Sequence, residues 1–362
     1  MTPMDAAALR AQFPVLAGVA YLNAGTDGPL PASAAAAACA ELERQQSGGR
    51  AQAHFERRRE LTAALREAYA GILGCPPAEL ALTTSTTEGL GAVVAGLDLG
   101  PGDEILTSDE EHPGLLGPLV TARDARGVSV RTAPLSDLVA AIGPRTRLVA
   151  CSHVGWMSGR RAPAELAEVG VPVVLDGAQG AGAVPVDVRA LGCDAYAAAG
   201  QKWMCGPDGT GMLFVSPEFG ERLRLTRCGY GNLEDAGAGL DARPRDDAAR
   251  FDSASLSAEA LACAGAAAGV LAAAGWTEVH ARARALAAQL ARGLEGAGRE
   301  VAPRADTTLV SFASPDPAAE RARLAEAGVV LRDIPGRPWL RASVGAWNDE
   351  EDLRRLLGAL GH

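Results

Sequence analysis

Lysine is almost missing from this chain. Of its 34 basic residues in 362, one is a lysine, Lys202, and the other thirty-three are arginine. A coding sequence rich in G and C explains the arginine; it leaves the exception to be explained. Arginine stays protonated at any working pH and forms no Schiff base. Lys202 is therefore the chain's only side-chain amine available for covalent chemistry.

Other absences narrow the function further. Basic charge is outnumbered, giving a net charge of −10, which excludes the cationic face that nucleic acid or an anionic membrane requires. The seven cysteines (39, 75, 151, 193, 205, 228 and 263) form no CxxC pair and are odd in number. They read as reduced thiols rather than a disulfide framework or a zinc site. The five histidines show no metal-ligand spacing, so no metal is expected. Residues 1–13 hold Asp5 and Arg10 and no apolar segment, unlike a secretory leader. The longest uncharged stretch, 260–277, is shorter than the roughly 20 apolar residues of a membrane span. The glycines of Gly177-x-x-Gly180-x-Gly182 are not in GxGxxG order, and no Walker lysine motif occurs, which argues against nucleotide and nicotinamide cofactors. The expectation is a cytoplasmic enzyme with neither nucleic acid nor membrane as partner.

What is present is an alternation of short apolar runs with helical stretches. Helices are expected over 32–46 and 51–73. Strands are expected at 80–84, 104–107, 129–132, 147–152, 172–175, 195–199 and 211–215. Most lack polar alternation, as do strands buried on both faces of a parallel sheet, and the βαβ rhythm indicates an α/β layered domain. Residues 230–250, rich in Gly, Asp and Arg, read as a long surface loop. Beyond it come helices from about 257 and over 277–296. Strands at 308–312, 329–333 and 340–344, with helices at 318–327 and 350–360, then suggest a smaller α+β domain. The expected division is 15–250 for the large domain and 1–14 with 251–362 for the small one.

Two strand ends carry the chemistry. The run 171–175 ends on Asp176-Gly177-Ala178-Gln179, and twenty-six residues after Asp176, past the next apolar run, stands Lys202. Ligands of open α/β sheets bind at the carboxyl ends of strands. An acid and an amine on neighbouring strand ends match the needs of pyridoxal phosphate: the lysine holds the aldehyde, and the aspartate keeps the pyridine nitrogen protonated so that the ring accepts electrons. Gln179 would bond the ring's phenolic oxygen. A phosphate site is expected where 80–84 runs into Ser85-Thr86-Thr87-Glu88-Gly89. Helix N-termini attract anions there, and Ser85-x-x-Glu88 reads as a capping box. His112, just past the strand at 104–107, would stack on a planar cofactor. Arg341 would clamp a substrate carboxylate.

In order along the chain, these segments resemble the class V aminotransferase family of fold-type I pyridoxal phosphate enzymes. The likeness includes Tyr21-Leu22-Asn23-Ala24-Gly25, Thr86-Thr87-Glu88-Gly89, Gly102-Asp103-Glu104-Ile105, Glu111-His112-Pro113, Asp176-Gly177-Ala178-Gln179, Gln201-Lys202-Trp203, Arg250-Phe251-Asp252 and Arg341-Ala342-Ser343. It implies a mainly parallel seven-stranded sheet and a smaller α+β domain. It also implies a homodimer with active sites at the subunit interface. By that resemblance Lys202, Asp176 and His112 are catalytic. Thr86, Thr87, Gln179 and Gln201 bind the cofactor, with Ser255 arriving from the second subunit. Asn23, Trp156 and Arg341 bind an amino-acid substrate. Many relatives have histidine where this chain has Gln201.

Trp156, in Ser152-His153-Val154-Gly155-Trp156, and Glu111-His112-Pro113-Gly114 look like the cysteine/cystine C–S lyases. Residues 201–207 are similar to isopenicillin N epimerases. No cysteine follows Cys263, so the mobile persulfide carrier of a desulfurase is missing from its expected place. The expected reaction is β-elimination from cysteine, cystine or a related amino acid, giving pyruvate and ammonia. Transamination and epimerisation are the alternatives, with desulfuration below them.

Overall fold

The computed structural model describes residues 4–361. A two-residue strand β1 (Ala20–Tyr21) precedes seven strands that build one sheet: β2 (Leu80–Thr83), β3 (Glu104–Ser108), β4 (Ser129–Ala133), β5 (Thr146–Ser152), β6 (Val173–Asp176), β7 (Ala195–Ala199) and β8 (Gly211–Val215). Their order is β2-β8-β7-β6-β5-β3-β4. All neighbours pair in parallel except β8, which runs against both β7 and β2. The apolar runs are buried along their whole length, whereas edge strand β4 is half exposed. Helices cover both faces, as a parallel sheet requires. Leu65, Tyr69, Phe214 and Leu261 pack on one side, and Leu90, Leu115, Leu119 and Phe219 on the other.

The C-terminal part adds β9 (Leu309–Ala313), β10 (Val329–Val330), β11 (Arg332–Asp333) and β12 (Trp339–Ser343); all but β10 form a three-stranded antiparallel sheet ordered β11-β12-β9. The single strand expected over 329–333 is two. Val329–Val330 pairs in parallel with β1, and Arg332–Asp333 pairs antiparallel with β12. The chain changes partner at the buried Leu331, which the apolar run Val329–Leu331 could not reveal. Helices Ala258–Ala274 and Trp276–Gly296 meet at 82°, and no single helix among the described residues is long and apolar enough to cross a membrane. The loop expected at 230–250 is present, interrupted only by short 3-10 turns.

Candidate active site

Asp176 is the last residue of β6, and Lys202 follows the end of β7 by three residues. Since β6 and β7 are adjacent and parallel, both lie at the carboxyl edge of the sheet. Asp176 is buried. One carboxylate oxygen accepts the Ala178 N–H at 2.9 Å, and no cation among the described residues lies within ion-pair distance. Burial raises its pKa, and the charge of Lys202 opposes that rise. Burial lowers the Lys202 amine to about 8, against the pull of Asp176, and the positive charges of Arg341 and Arg332 assist the lowering.

Only the neutral amine attacks an aldehyde. The rate at which apo-protein takes up pyridoxal phosphate should therefore rise with pH and level off above about 8, more than two units below a free lysine. Stopped-flow absorbance across pH 6.5–9.5 checks this, and a rate still climbing at the upper end would contradict it.

The turn carrying Lys202 is pinned by the N-terminal segment. Gly28 donates its N–H to the Gln201 carbonyl at 2.7 Å, and a Cβ at Gly28 would fall 2.0 Å from the Lys202 carbonyl oxygen. Because the obstacle is backbone, Gly28→Ala must push the turn away. We expect a loss of about 1–3 kcal/mol and slower cofactor capture, read by thermal melting and by the same absorbance change.

Helix Thr86–Gly96 begins where β2 ends. Ser85 caps it, its hydroxyl accepting the Glu88 N–H at 3.1 Å. The expected capping box is half made. The Glu88 carboxylate does not return to the Ser85 N–H but takes the Thr84 hydroxyl at 2.6 Å, along with Thr84 N–H, Ser253 and Arg227. Burial would raise the pKa of Glu88, but these bonds outweigh it and hold the group at about 2. Its negative charge is paired with Arg227, and the N–H groups of Thr86 and Thr87 make no hydrogen bond among the described residues. The buried Thr86 hydroxyl, which can donate, also lacks a partner; so does the Gln201 amide oxygen, but as an acceptor it gives an anion nothing. These groups form an anion cradle at a helix N-terminus.

His112 caps helix Pro113–Arg126, its Nδ1 accepting the Gly114 N–H at 3.0 Å, which leaves the ring proton on Nε2. Burial, together with the charges of Lys202, Arg332 and Arg341, lowers its pKa to about 4. It is therefore a neutral ring, with the Trp156 ring edge-on at 5.0 Å. A Cβ at Gly114 would lie 2.7 Å from the Thr87 hydroxyl, so the histidine turn and the anion cradle adjoin. Behind His112, buried Glu111 accepts the Ser152 hydroxyl at 2.6 Å and its N–H at 3.0 Å, tying the end of β3 to β5 beside Asp176. Burial lifts Glu111 to about 7, against hydrogen bonds from Ser108 and Ser152, with the charge of Asp176 adding to the rise.

Arg341 is completely buried and has no carboxylate within ion-pair reach among the described residues. One Nη donates to the Trp156 carbonyl at 2.9 Å and the other to Thr26 Oγ1 at 3.3 Å, while Nε has no partner. Burial and the nearby Arg332 lower its pKa to about 9. A buried charge without a counterion costs several kcal/mol, so this arrangement awaits an anion. Arg332 stands directly opposite Arg341 in the β11–β12 register, and the two guanidiniums lie 5.8 and 6.0 Å from the same Trp156 ring. Like charges in opposed positions repel, and neither has an acidic partner among the described residues. Sequence reasoning missed Arg332 because nothing distinguishes it among thirty-three arginines until the hairpin register is known. It also missed Ser343, whose buried hydroxyl is unpartnered and close to Gly25 and Arg341.

Of the remaining residues, Asn23 bridges to Ser343, and its side-chain oxygen is buried and free. Gln179 spends its amide differently from expectation: Nε2 donates to the Gly25 carbonyl at 2.7 Å, and Oε1 accepts Trp203 Nε1 at 3.0 Å. One amide hydrogen remains for a ring oxygen. Ser255 is not brought to Lys202. It is exposed and lines a separate cavity of about 180 Å³ with Arg50, His54 and Arg58.

A buried acid near a buried amine, a neutral ring beside them and an anion cradle fit pyridoxal phosphate. Together with this sheet they define a fold-type I pyridoxal phosphate enzyme. The comparisons agree. The family description Aminotransferase class-V matches residues 21–356, and the chain belongs to that family. The isopenicillin N epimerase of Amycolatopsis lactamdurans is 31% identical over 97% of this chain and 96% of its own length. For the one from Streptomyces clavuligerus the match is 35% identical but spans only 61% of this chain and 59% of that protein. A probable cysteine desulfurase of Pseudomonas aeruginosa is 34% identical over 78% of each chain. Among solved structures, the cystine C–S lyase C-DES in complex with its product cysteine persulfide superposes with a TM-score of 0.89 at 31% identity, covering 97% of this chain and 99% of that one.

Proposed function

We propose that this enzyme cleaves the C–S bond of cystine, or of a closely related sulfur amino acid, by β-elimination. The observation carrying this reading is the pair Arg332 and Arg341, two cations on one aromatic ring with no acid between them. One carboxylate suffices for an ordinary amino acid; two cations match a substrate with two carboxylates, as cystine has. The likeness to C-DES, a cystine C–S lyase, supports the same substrate.

In this reading Arg341 takes the α-carboxylate through its free Nε and an Nη, and Arg332 takes the distal one. His112, being neutral, adds no charge against the substrate's cationic amine. Pyridoxal phosphate, held by Lys202, Asp176 and the Thr86–Thr87 cradle, supplies an electron sink. The Lys202 amine, near 8 when free, removes the Cα proton as general base. The Cβ–S bond then breaks, and its electron pair leaves with sulfur, which is protonated to cysteine persulfide. The remaining 2-aminoacrylate adds one water and yields pyruvate and ammonia.

Desulfuration ranks below elimination because the turn 334–338 between β11 and β12 is short and holds no cysteine to carry the sulfur. A homodimer is part of the proposal, since Ser255 and its cavity have no role at the site of their own chain. The seven free cysteines are consistent with a cytoplasmic setting.

The test is incubation of the loaded enzyme with L-cystine, L-cysteine and cysteine sulfoxides without added keto acid. Pyruvate and persulfide in equal amounts from cystine are expected. A D-amino acid product, or turnover only with a keto acid, would replace elimination by epimerisation or transamination.

A further inference from the structure

We propose that Trp203 is a positioning residue for the cofactor: its indole N–H locks the side-chain amide of Gln179, so that the amide offers the cofactor's phenolic oxygen an N–H and not a carbonyl. This needs pyridoxal phosphate in the site but not the choice of reaction made above. Trp203 directly follows Lys202 and is fully buried, and Gln179, three residues after Asp176, is buried with it. The indole Nε1–H donates to Gln179 Oε1 at 3.0 Å, and Gln179 Nε2 donates to the Gly25 carbonyl at 2.7 Å.

An indole N–H can only donate, and a backbone carbonyl can only accept. Turning the amide over would set N–H against N–H at Trp203 and oxygen against oxygen at Gly25, with two buried bonds lost together. Gly25 has no room to give way. A Cβ there would lie 2.7 Å from Ser343 Oγ and 2.9 Å from an Arg341 Nη. One amide therefore ties the Lys202 turn and the Asp176 turn to the segment that packs on the carboxylate clamp. With Trp203 on its oxygen and Gly25 on one hydrogen, the second hydrogen is the donor that remains. A donated N–H stabilises the phenolic oxygen as an anion and weakens its hold on the proton it shares with the lysine nitrogen. It thereby lowers the pH at which the bound cofactor changes its absorbance. Without the indole N–H the amide keeps one anchor of two. The charged groups on the segments that meet here are Asp27, Asp176, Lys202 and Arg341. None of them is changed in the variants below, so a moved midpoint does not report a lost charge.

The loaded wild-type enzyme, Trp203→Phe, Gln179→Leu and the double variant are titrated from about pH 5.5 to 10, following the cofactor's absorbance bands. The midpoint is expected to rise by about 0.5–1 pH unit in Trp203→Phe, the size of one hydrogen bond, and by at least as much in Gln179→Leu. Because Trp203 acts through Gln179, adding Trp203→Phe to Gln179→Leu should move the midpoint no further. A role confined to core packing predicts instead a lower melting temperature with the midpoint unmoved. If Trp203→Phe does not fold, Trp203→Tyr, which fills more of the space without an indole N–H, takes its place with the same expectation. A folded Trp203 variant with an unmoved or lowered midpoint, or shifts that add in the double variant, would overturn the role of Trp203. An unmoved midpoint in Gln179→Leu would overturn the amide as the donor. None of these outcomes bears on which bond the enzyme cleaves.

Discussion

Lys202→Ala should lower kcat by about 10⁴-fold or more, since it removes both the covalent anchor and the general base. The uniqueness of the residue makes the test unusually clean. With one lysine in 362 residues, no second side-chain amine can substitute. Borohydride reduction of the loaded wild-type enzyme should fix one pyridoxyl group, and mass spectrometry of the digest should place it on the peptide containing Gln201-Lys202-Trp203. In Lys202→Ala the label should vanish, while thermal melting stays at or above the wild-type value, because a buried amine that burial drives toward neutrality contributes little to folding. Retained turnover in the variant would remove the central assignment. Label on another residue would relocate the site.

Asp176→Asn should lower kcat by about 10²–10³-fold, the range seen when one preorganised charge or donor is lost from an active site. The change is nearly isosteric, and the asparagine oxygen can still accept the Ala178 N–H that Asp176 accepts at 2.9 Å. What disappears is the negative charge that keeps a pyridine nitrogen protonated. Burial already disfavours that charge in the free protein, so melting temperature should not fall. Cofactor should still bind, with a shifted absorbance band, which separates this variant from Lys202→Ala. A kcat within threefold of wild type would show that the ring nitrogen is not served by Asp176.

The parts of the fold legible in sequence are those set by local pattern. Unbroken apolar runs such as Val173–Leu175 and Ala195–Ala199 lack a polar face, so they announce strands covered on both sides, and the structure buries every residue of β6 and β7. Asp176 and Lys202 were legible for a related reason. They follow consecutive strands, and consecutive parallel strands that are adjacent place their ends together. The Ser85 cap was legible because it is a contact three residues long. Its partner was not: Glu88 turns to Ser253, which lies 165 residues away and is brought beside β2 by tertiary packing.

The same boundary separates the rest. By itself the sequence determined where the buried strands of the large sheet lie, that one amine is available, and that an acid precedes it by one strand. These follow from periodicity, composition and short spacing. Only the tertiary structure decided that β8 runs against its neighbours, that Val329–Asp333 divides between two sheets, and that Gln179 is engaged by Gly25 and Trp203. It alone placed Arg332 opposite Arg341 and pressed Gly28 on the Lys202 turn. Each of these depends on register or on contact between residues distant in the chain. Single arginines and aspartates carry no mark of either until the backbone has brought them together.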